Sequence, residues 1–235
     1  MTDESRQPGP EPGRARRTLA DLRQQVFGNG SPSRVVDPIV EPLWTGIRVL
    51  GAVDERGVAL VDFDGDPVEI FADFVEALAA AVPASDVVVE GFITRQATRA
   101  ASAVVAWSEE MPSIGSFVGL RRNRAVDTLN LKEESIAAMT FDADEVLSFV
   151  ATDLLWLDET LLLDVPLLER RRLLEAVVFE SDAVRVGAFV RPPIERWVAS
   201  WRSQGFSGLT FKAANSRYLP GVQNSEWVIT GMPRR

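Results

Sequence analysis

The chain has 235 residues, 46% of them hydrophobic and 25% charged, with a formal net charge of −9. That is enough chain for one large domain or two small ones around a packed core, at the composition of an ordinary globular protein. It contains neither cysteine nor histidine; this excludes disulfides, thiolate nucleophiles, the usual zinc sites and any histidine base, and the acidic balance argues against a dedicated duplex binder.

Residues 1–17 are rich in Pro, Gly and charge and predict a disordered tail. They contain no apolar core of a secretion signal, and no apolar run in the chain approaches twenty residues, so the expectation is a cytoplasmic protein with no membrane contact. Residues 18–36 predict a short helix and a linker: RTLADLRQQVFG puts Leu19, Leu22 and Val26 on one face, and GNGSPS follows. TGIRVLGAVD and GVALVDFDG predict two antiparallel strands turning at ERG. DPVEIFADFVEALAAAV predicts a helix with Ile70, Phe74, Val75 and Leu78 inward, and VVVEGFI a buried strand.

TRQATRAASAVVAWSEE predicts another helix, and residues 111–128 a loop with one strand. DADEVLSFVATDLLWLDE holds a strand ending near Trp156; PLLERRRLLEAVVF is a helix opened by Pro166. VRVGAFVR reads as a strand and ERWVASWRSQGF as a helix ended by Gly205. GLTFKAA is a strand, SRYLPGVQNS a turn-rich loop and EWVIT a last strand. Strands and helices mix without regular βαβ alternation, which points to α+β with mostly antiparallel sheets.

Several stretches together resemble the nucleotidyltransferase (adenylation) domain of ATP-dependent DNA ligases. ATDLLWLDETLLLDVPLLERRRLLEAVV is similar to the family's DLLYLDG-type strand leading to a PLxERRxLL helix. GFSGLTFKAANSRYLPG is similar to its EGLxxK strand and SxYxPG loop, and Trp227 stands where the family keeps a tryptophan. The resemblance implies an α+β, ATP-grasp-like adenylation domain over residues 37–235, two mainly antiparallel sheets with flanking helices. It also implies a chemistry. A lysine in KxDG attacks the α-phosphate of ATP, and the AMP it captures passes to a nicked DNA end. ATP and Mg²⁺ enter as cofactors by this resemblance alone. Family members add an OB-fold after the last motif, and none is expected within this chain.

EPLWTGIRVL (41–50) aligns with the nucleophile motif. Glu41 matches an acid that accepts from the adenine amino group, Gly46 the motif's glycine and Arg48 a ribose-contacting arginine. Leu43 falls on the nucleophile and Thr45 on the aspartate. A leucine has no lone pair, so the covalent step is lost rather than slowed. Glu90 and Gly91 match the acid and glycine of the next motif, Phe92 replaces its second acid, and Thr152 stands where an aromatic stacks on adenine, beside Asp153. Ser207 replaces a glutamate, Lys212 matches a lysine that faces the phosphates, and Ile229 and Gly231 replace the final two lysines. Each lost charged contact is worth roughly 1.5–3 kcal/mol, so losing two weakens nucleotide binding by about 10²–10⁴-fold.

Read without the family, the same residues have plainer explanations. Lys212, one of only two lysines with Lys132, reads equally as a phosphate ligand or a strand lysine in solvent. Arg48 reads as a salt-bridge partner ahead of a ribose contact, and Glu41, before Pro42, as a solvated loop acid ahead of an adenine ligand. Glu90 ends an apolar run, and a buried acid needs a partner, by default an arginine. RRNR (121–124) reads as a solvated charge run, ERRR (169–172) as the exposed face of its helix, and Trp197 with Trp201 as core or partner contact.

The function implied is a ligase-family domain that has lost lysine adenylation and acts as a binding or regulatory module in DNA repair, with a repair protein as partner and nucleic-acid binding weak or absent. No catalytic residue and no metal ligand is assigned; Glu41, Arg48, Glu90 and Lys212 are vestigial nucleotide contacts. Two alternatives stand beside it. One is an adenylating enzyme with its nucleophile displaced to Lys212; the other is a protein-interaction module that uses the old cleft as an apolar groove around Leu43 and Phe92.

Overall fold

The computed structural model describes residues 13–84, 86–95 and 147–233. The helix expected from Thr94, the loop around RRNR and Lys132 lie largely or wholly outside them. The element order is α1 (Arg14–Asp21), β1 (Val26–Gly28), β2 (Pro38–Pro42), β3 (Ile47–Asp54), β4 (Gly57–Val61), α2 (Ala72–Ala81), β5 (Asp86–Thr94), β6 (Ser148–Leu157), β7 (Thr160–Leu161), α3 (Leu167–Val177), β8 (Val184–Val186), α4 (Glu195–Ser203), β9 (Gly208–Ala213) and β10 (Gln223–Gly231).

The strands form two sheets. The smaller has the order β1-β10-β9-β2, and the larger β4-β3-β5-β6-β7 with β8 alongside β6. All pairings are antiparallel except β1 with β10 and β6 with β8. Mainly antiparallel sheets with flanking helices are the α+β architecture that the mixed element pattern implies.

Side chains alternate between the two faces of a strand, and β5 shows what that does here. Val87, Val89 and Ile93 point to one side, where Phe74 and Leu78 of α2 and Leu174 of α3 complete a core. Val88 points to the other, toward Leu19, Leu22, Phe27, Ile39, Tyr218 and Trp227. Glu90 and Phe92 share the parity of Val88, so the acid faces the smaller sheet. Arg48, on β3, lies opposite Phe92 in the ladder, and it too points between the sheets.

Four local expectations are corrected. The tail ends earlier than residue 17: α1 begins at Arg14, tied by a 2.8 Å ion pair from Arg16 to Asp54 and by the Ala15 amide donating to Asp86. The helix also ends at Asp21 rather than running to Gly28, because Val26 pairs with Gln223 as a strand. α2 starts at Ala72 rather than near Asp66, since Asp62 holds a turn by accepting the Asp64 and Asp66 amides and Pro67 bridges to Val61. The strand expected over 184–191 stops at Val186; the chain then crosses to the other sheet, where Val190 bridges Val40.

Candidate functional site

The space between the sheets holds a band of buried charge. Glu90 is 1% exposed. The Arg48 guanidinium donates to its Oε1 at 2.8 and 3.1 Å, and the Tyr218 hydroxyl donates to its Oε2. Arg48 also donates to the Gln25 carbonyl at 2.8 Å, and the Gln25 amide donates to the Tyr218 oxygen. Burial opposes the charge on Arg48, but Glu90, Tyr218 and Asp153 together outweigh it, and the pKa of Arg48 lies above its ordinary value. Burial, reinforced by Glu90, pushes the Tyr218 phenol well above its usual value of 10.0.

Next to this cluster lies a second pair. Arg170 grips Asp153 with two hydrogen bonds of 2.7 and 2.8 Å, and both side chains are fully buried. Here as well burial opposes the arginine charge, and Asp153, with Tyr218 and Glu90, more than offsets it. Arg171, equally buried, donates to the carbonyls of Thr152 and Gly187 and stacks 5.3 Å from the Phe189 ring centre. The reading of ERRR as an exposed face is therefore wrong for two of its arginines. Leu167, Arg170, Arg171 and Leu174 are spaced i, i+3, i+4 and i+7, one face of a helix. That period is visible in the sequence, but arginine is a side chain that ordinarily stays in solvent.

A third cluster joins β2 to β9. Lys212 places its ammonium 2.7 Å from Glu41 Oε2 and 4.5 Å above the centre of the Trp227 ring. Thr210, directly across the ladder from Glu41, donates to the same oxygen at 3.2 Å. Glu41 Oε1 has no hydrogen-bond partner among the described residues and lies 3.6 Å from the Arg171 guanidinium. Glu41 and Lys212 are each 2% exposed. Neither is solvated, which corrects the plain reading of Glu41 and resolves the two readings of Lys212 against solvent.

Leu43 is 1% exposed, and its amide donates to the Gly208 carbonyl at 2.9 Å. A Cβ on Gly208 would lie 2.7 Å from the Leu43 side chain, so the leucine fills the room that this glycine leaves. Phe92 is also buried, with Val40, Trp44, Trp201 and Phe206. Among the described residues Leu43 and Phe92 are core and line no open apolar groove. Gly46 sits at φ +130°, and a Cβ there would meet the Ile93 carbonyl at 2.1 Å, so backbone geometry alone demands glycine.

These residues do not fit a divalent cation. Glu41, Glu90 and Asp153 each already face an arginine or lysine, and no cluster of three carboxylates suited to a metal occurs among the described residues. No helix among them is long and apolar enough to cross a membrane.

The family model for the ATP dependent DNA ligase domain matches residues 102–228, more than half of the chain. The chain belongs to this family. The LigD end-joining repair protein of Mycobacterium tuberculosis is 28% identical over 188 residues, which is 80% of this chain but 21% of that protein. A DNA ligase of Methanospirillum hungatei is 30% identical over 76 residues, 32% of this chain and 14% of the ligase. The ligase-family chain therefore spans about a fifth or less of the length of these curated relatives. Among solved structures, the ligase domain of M. tuberculosis LigD superposes with a TM-score of 0.58 at 23% identity, covering 89% of this chain and 59% of that one. A Chlorella virus DNA ligase-adenylate superposes at 0.52 and 12% identity, covering 90% and 67%. At these identities the superpositions establish the fold.

The ligase-family fold thus gathers Glu41, Leu43, Arg48, Glu90 and Lys212 between its sheets. Glu41 joins Lys212, Arg48 joins Glu90, and Leu43 lies against Gly208. Sequence reading missed Tyr218 and Gln25 as members of the Glu90 cluster. A tyrosine and a glutamine distant in sequence from Glu90 carry no local mark of shared burial.

Proposed function

We propose that this ligase-family domain does not form a lysyl adenylate and serves as a non-catalytic binding or regulatory module in DNA repair. One observation carries the reading: the position that aligns with the nucleophile is Leu43, a hydrocarbon side chain packed against Gly208 in the core. Attack on phosphorus needs a lone pair, and an alkyl side chain has none. The residues around it support the same conclusion. Lys212 is engaged as the cation of an ion pair with Glu41 and is covered by Trp227. Arg48 and Glu90 satisfy one another and Tyr218, so a ribose would have to displace protein contacts to reach them.

The repair setting comes from LigD, whose name describes a multifunctional non-homologous end joining DNA repair protein. A net charge of −9 opposes close approach to a phosphate backbone, so the partner proposed is a repair protein and not bare DNA. Incubation with ATP labelled at the α-phosphate, followed by denaturing gel electrophoresis, is the decisive experiment. The expected gel carries no labelled band for the wild-type chain. A band that disappears in Lys212→Ala would replace this reading with a displaced nucleophile.

A further inference from the structure

Leu43, Phe92, Glu90 and Lys212 are buried between the sheets among the described residues, which leaves the exposed surface to a docking partner. A shallow pocket of about 510 Å³ opens at the C-terminal end of α3, between its last turn and the chain leaving β8. Val178, Val186, Ala188 and Phe189 supply apolar wall, and Glu175 and Glu180 supply carboxylates. We propose that this pocket docks a lysine or arginine side chain presented by a segment of a partner protein.

Charge and shape both select that occupant. Glu175 and Glu180 are exposed, and Glu175 has no ion pair or hydrogen bond among the described residues. Glu180 is only partly engaged: one oxygen accepts the Val186 amide at 3.1 Å, and the other is 3.5 Å from Arg185. Asp182, with a side chain 95% exposed and 3.8 Å from the same Arg185, is a third acid nearby in the chain. Two carboxylates at one pocket repel an acidic or phosphorylated ligand. A basic side chain matches both surfaces, because its methylene stem covers apolar wall while its charged head reaches the acids. Phe189 already accepts the Arg171 guanidinium against its ring, and an aromatic face suits a second cation for the same electrostatic reason. Phe179, 63% exposed, stands in the chain between the lining residues Val178 and Glu180 and is apolar surface within reach of the residues beside the docked one. A peptide segment supplies such neighbours and a free cation does not, which favours a protein partner.

This inference rests on reading the chain as a binding module, and it is measured apart from adenylation. The probe is a fluorescein-labelled peptide alternating arginine and leucine, titrated with the full chain and followed by anisotropy. Saturable binding is expected, with none for the counterpart carrying glutamate for arginine. Glu175→Arg should weaken the arginine peptide roughly tenfold or more, the loss of one charge-assisted contact. Glu55→Arg, an equal change of charge in the β3–β4 turn, should leave it unchanged. Absence of saturable binding, equal binding of the glutamate peptide, or equal weakening by the two variants would each overturn the pocket. None of these outcomes bears on whether the chain is adenylated by ATP, so the two readings fail separately.

Discussion

Glu90 and Glu41 are both buried acids between the same two sheets, yet their surroundings differ. Both oxygens of Glu90 are bonded, by Arg48 and by Tyr218, and Arg48 is held in turn by the Gln25 carbonyl. Glu41 spends one oxygen on Lys212 and Thr210 and leaves the other 3.6 Å from Arg171. A buried charge is tolerated in proportion to how completely it is paired. The Glu90 cluster therefore reads as a structural clasp between the sheets, tying the N-terminal segment at Gln25 to β3, β5 and the loop at Tyr218. The Glu41 cluster is a looser neutralisation, with a second cation in reserve.

The largest effect should come from removing the clasp. Glu90→Ala strands Arg48 and Tyr218 without their acceptor and should destabilise the fold by about 3–5 kcal/mol, read as a shift in urea midpoint at constant slope. Lys212→Met should cost less, about 1–3 kcal/mol, because Arg171 can close on Glu41. Equal losses for the two variants would erase the distinction between the clusters.

Alkali tests the clasp without mutation. Tyr218 is the chain's one tyrosine, and its folded pKa is raised well above 10.0 by burial and then by Glu90. Above pH 10 the folded state keeps a proton that the unfolded state has lost. Stability contributed by this phenol is therefore complete below pH 10 and falls as pH rises toward the folded value. Tyrosinate absorbance should rise only together with loss of circular dichroism. A titration near pH 10 in the intact fold would show the phenol to be accessible and the clasp loose.

The smallest effect is the control within α3. Arg172→Ala should change stability by no more than about 0.5 kcal/mol, since its pair with Glu169 is exposed on both sides. Its neighbours Arg170 and Arg171 are buried on the opposite side of the same helix.

Much of the fold was legible because local pattern and final environment agree. The β-branched run at 87–89 becomes a central strand, Pro166 stands at the start of α3, and Gly205, with φ +88°, follows α4. The family, too, was legible from the order of short motifs. The site was legible only in its membership. That Glu90 needs a basic partner followed from burial; that the partner is Arg48, with Tyr218 and Gln25 closing the cluster, required the sheets to meet. The misreading of Arg170 and Arg171 has the same root, since arginine is normally solvated and only a facing carboxylate or carbonyl makes its burial favourable.

What the sequence determined by itself is covalent and periodic: a leucine in the stretch that resembles the family's nucleophile motif, alternation that makes two-faced strands, and a helical stripe through Leu167 and Leu174. What the tertiary structure alone decided is electrostatic. Glu41 and Lys212 stand far apart in the chain and become an ion pair because β2 and β9 lie side by side. The energy of a buried charge depends on distances of a few ångströms to groups remote in sequence, and folding sets those distances.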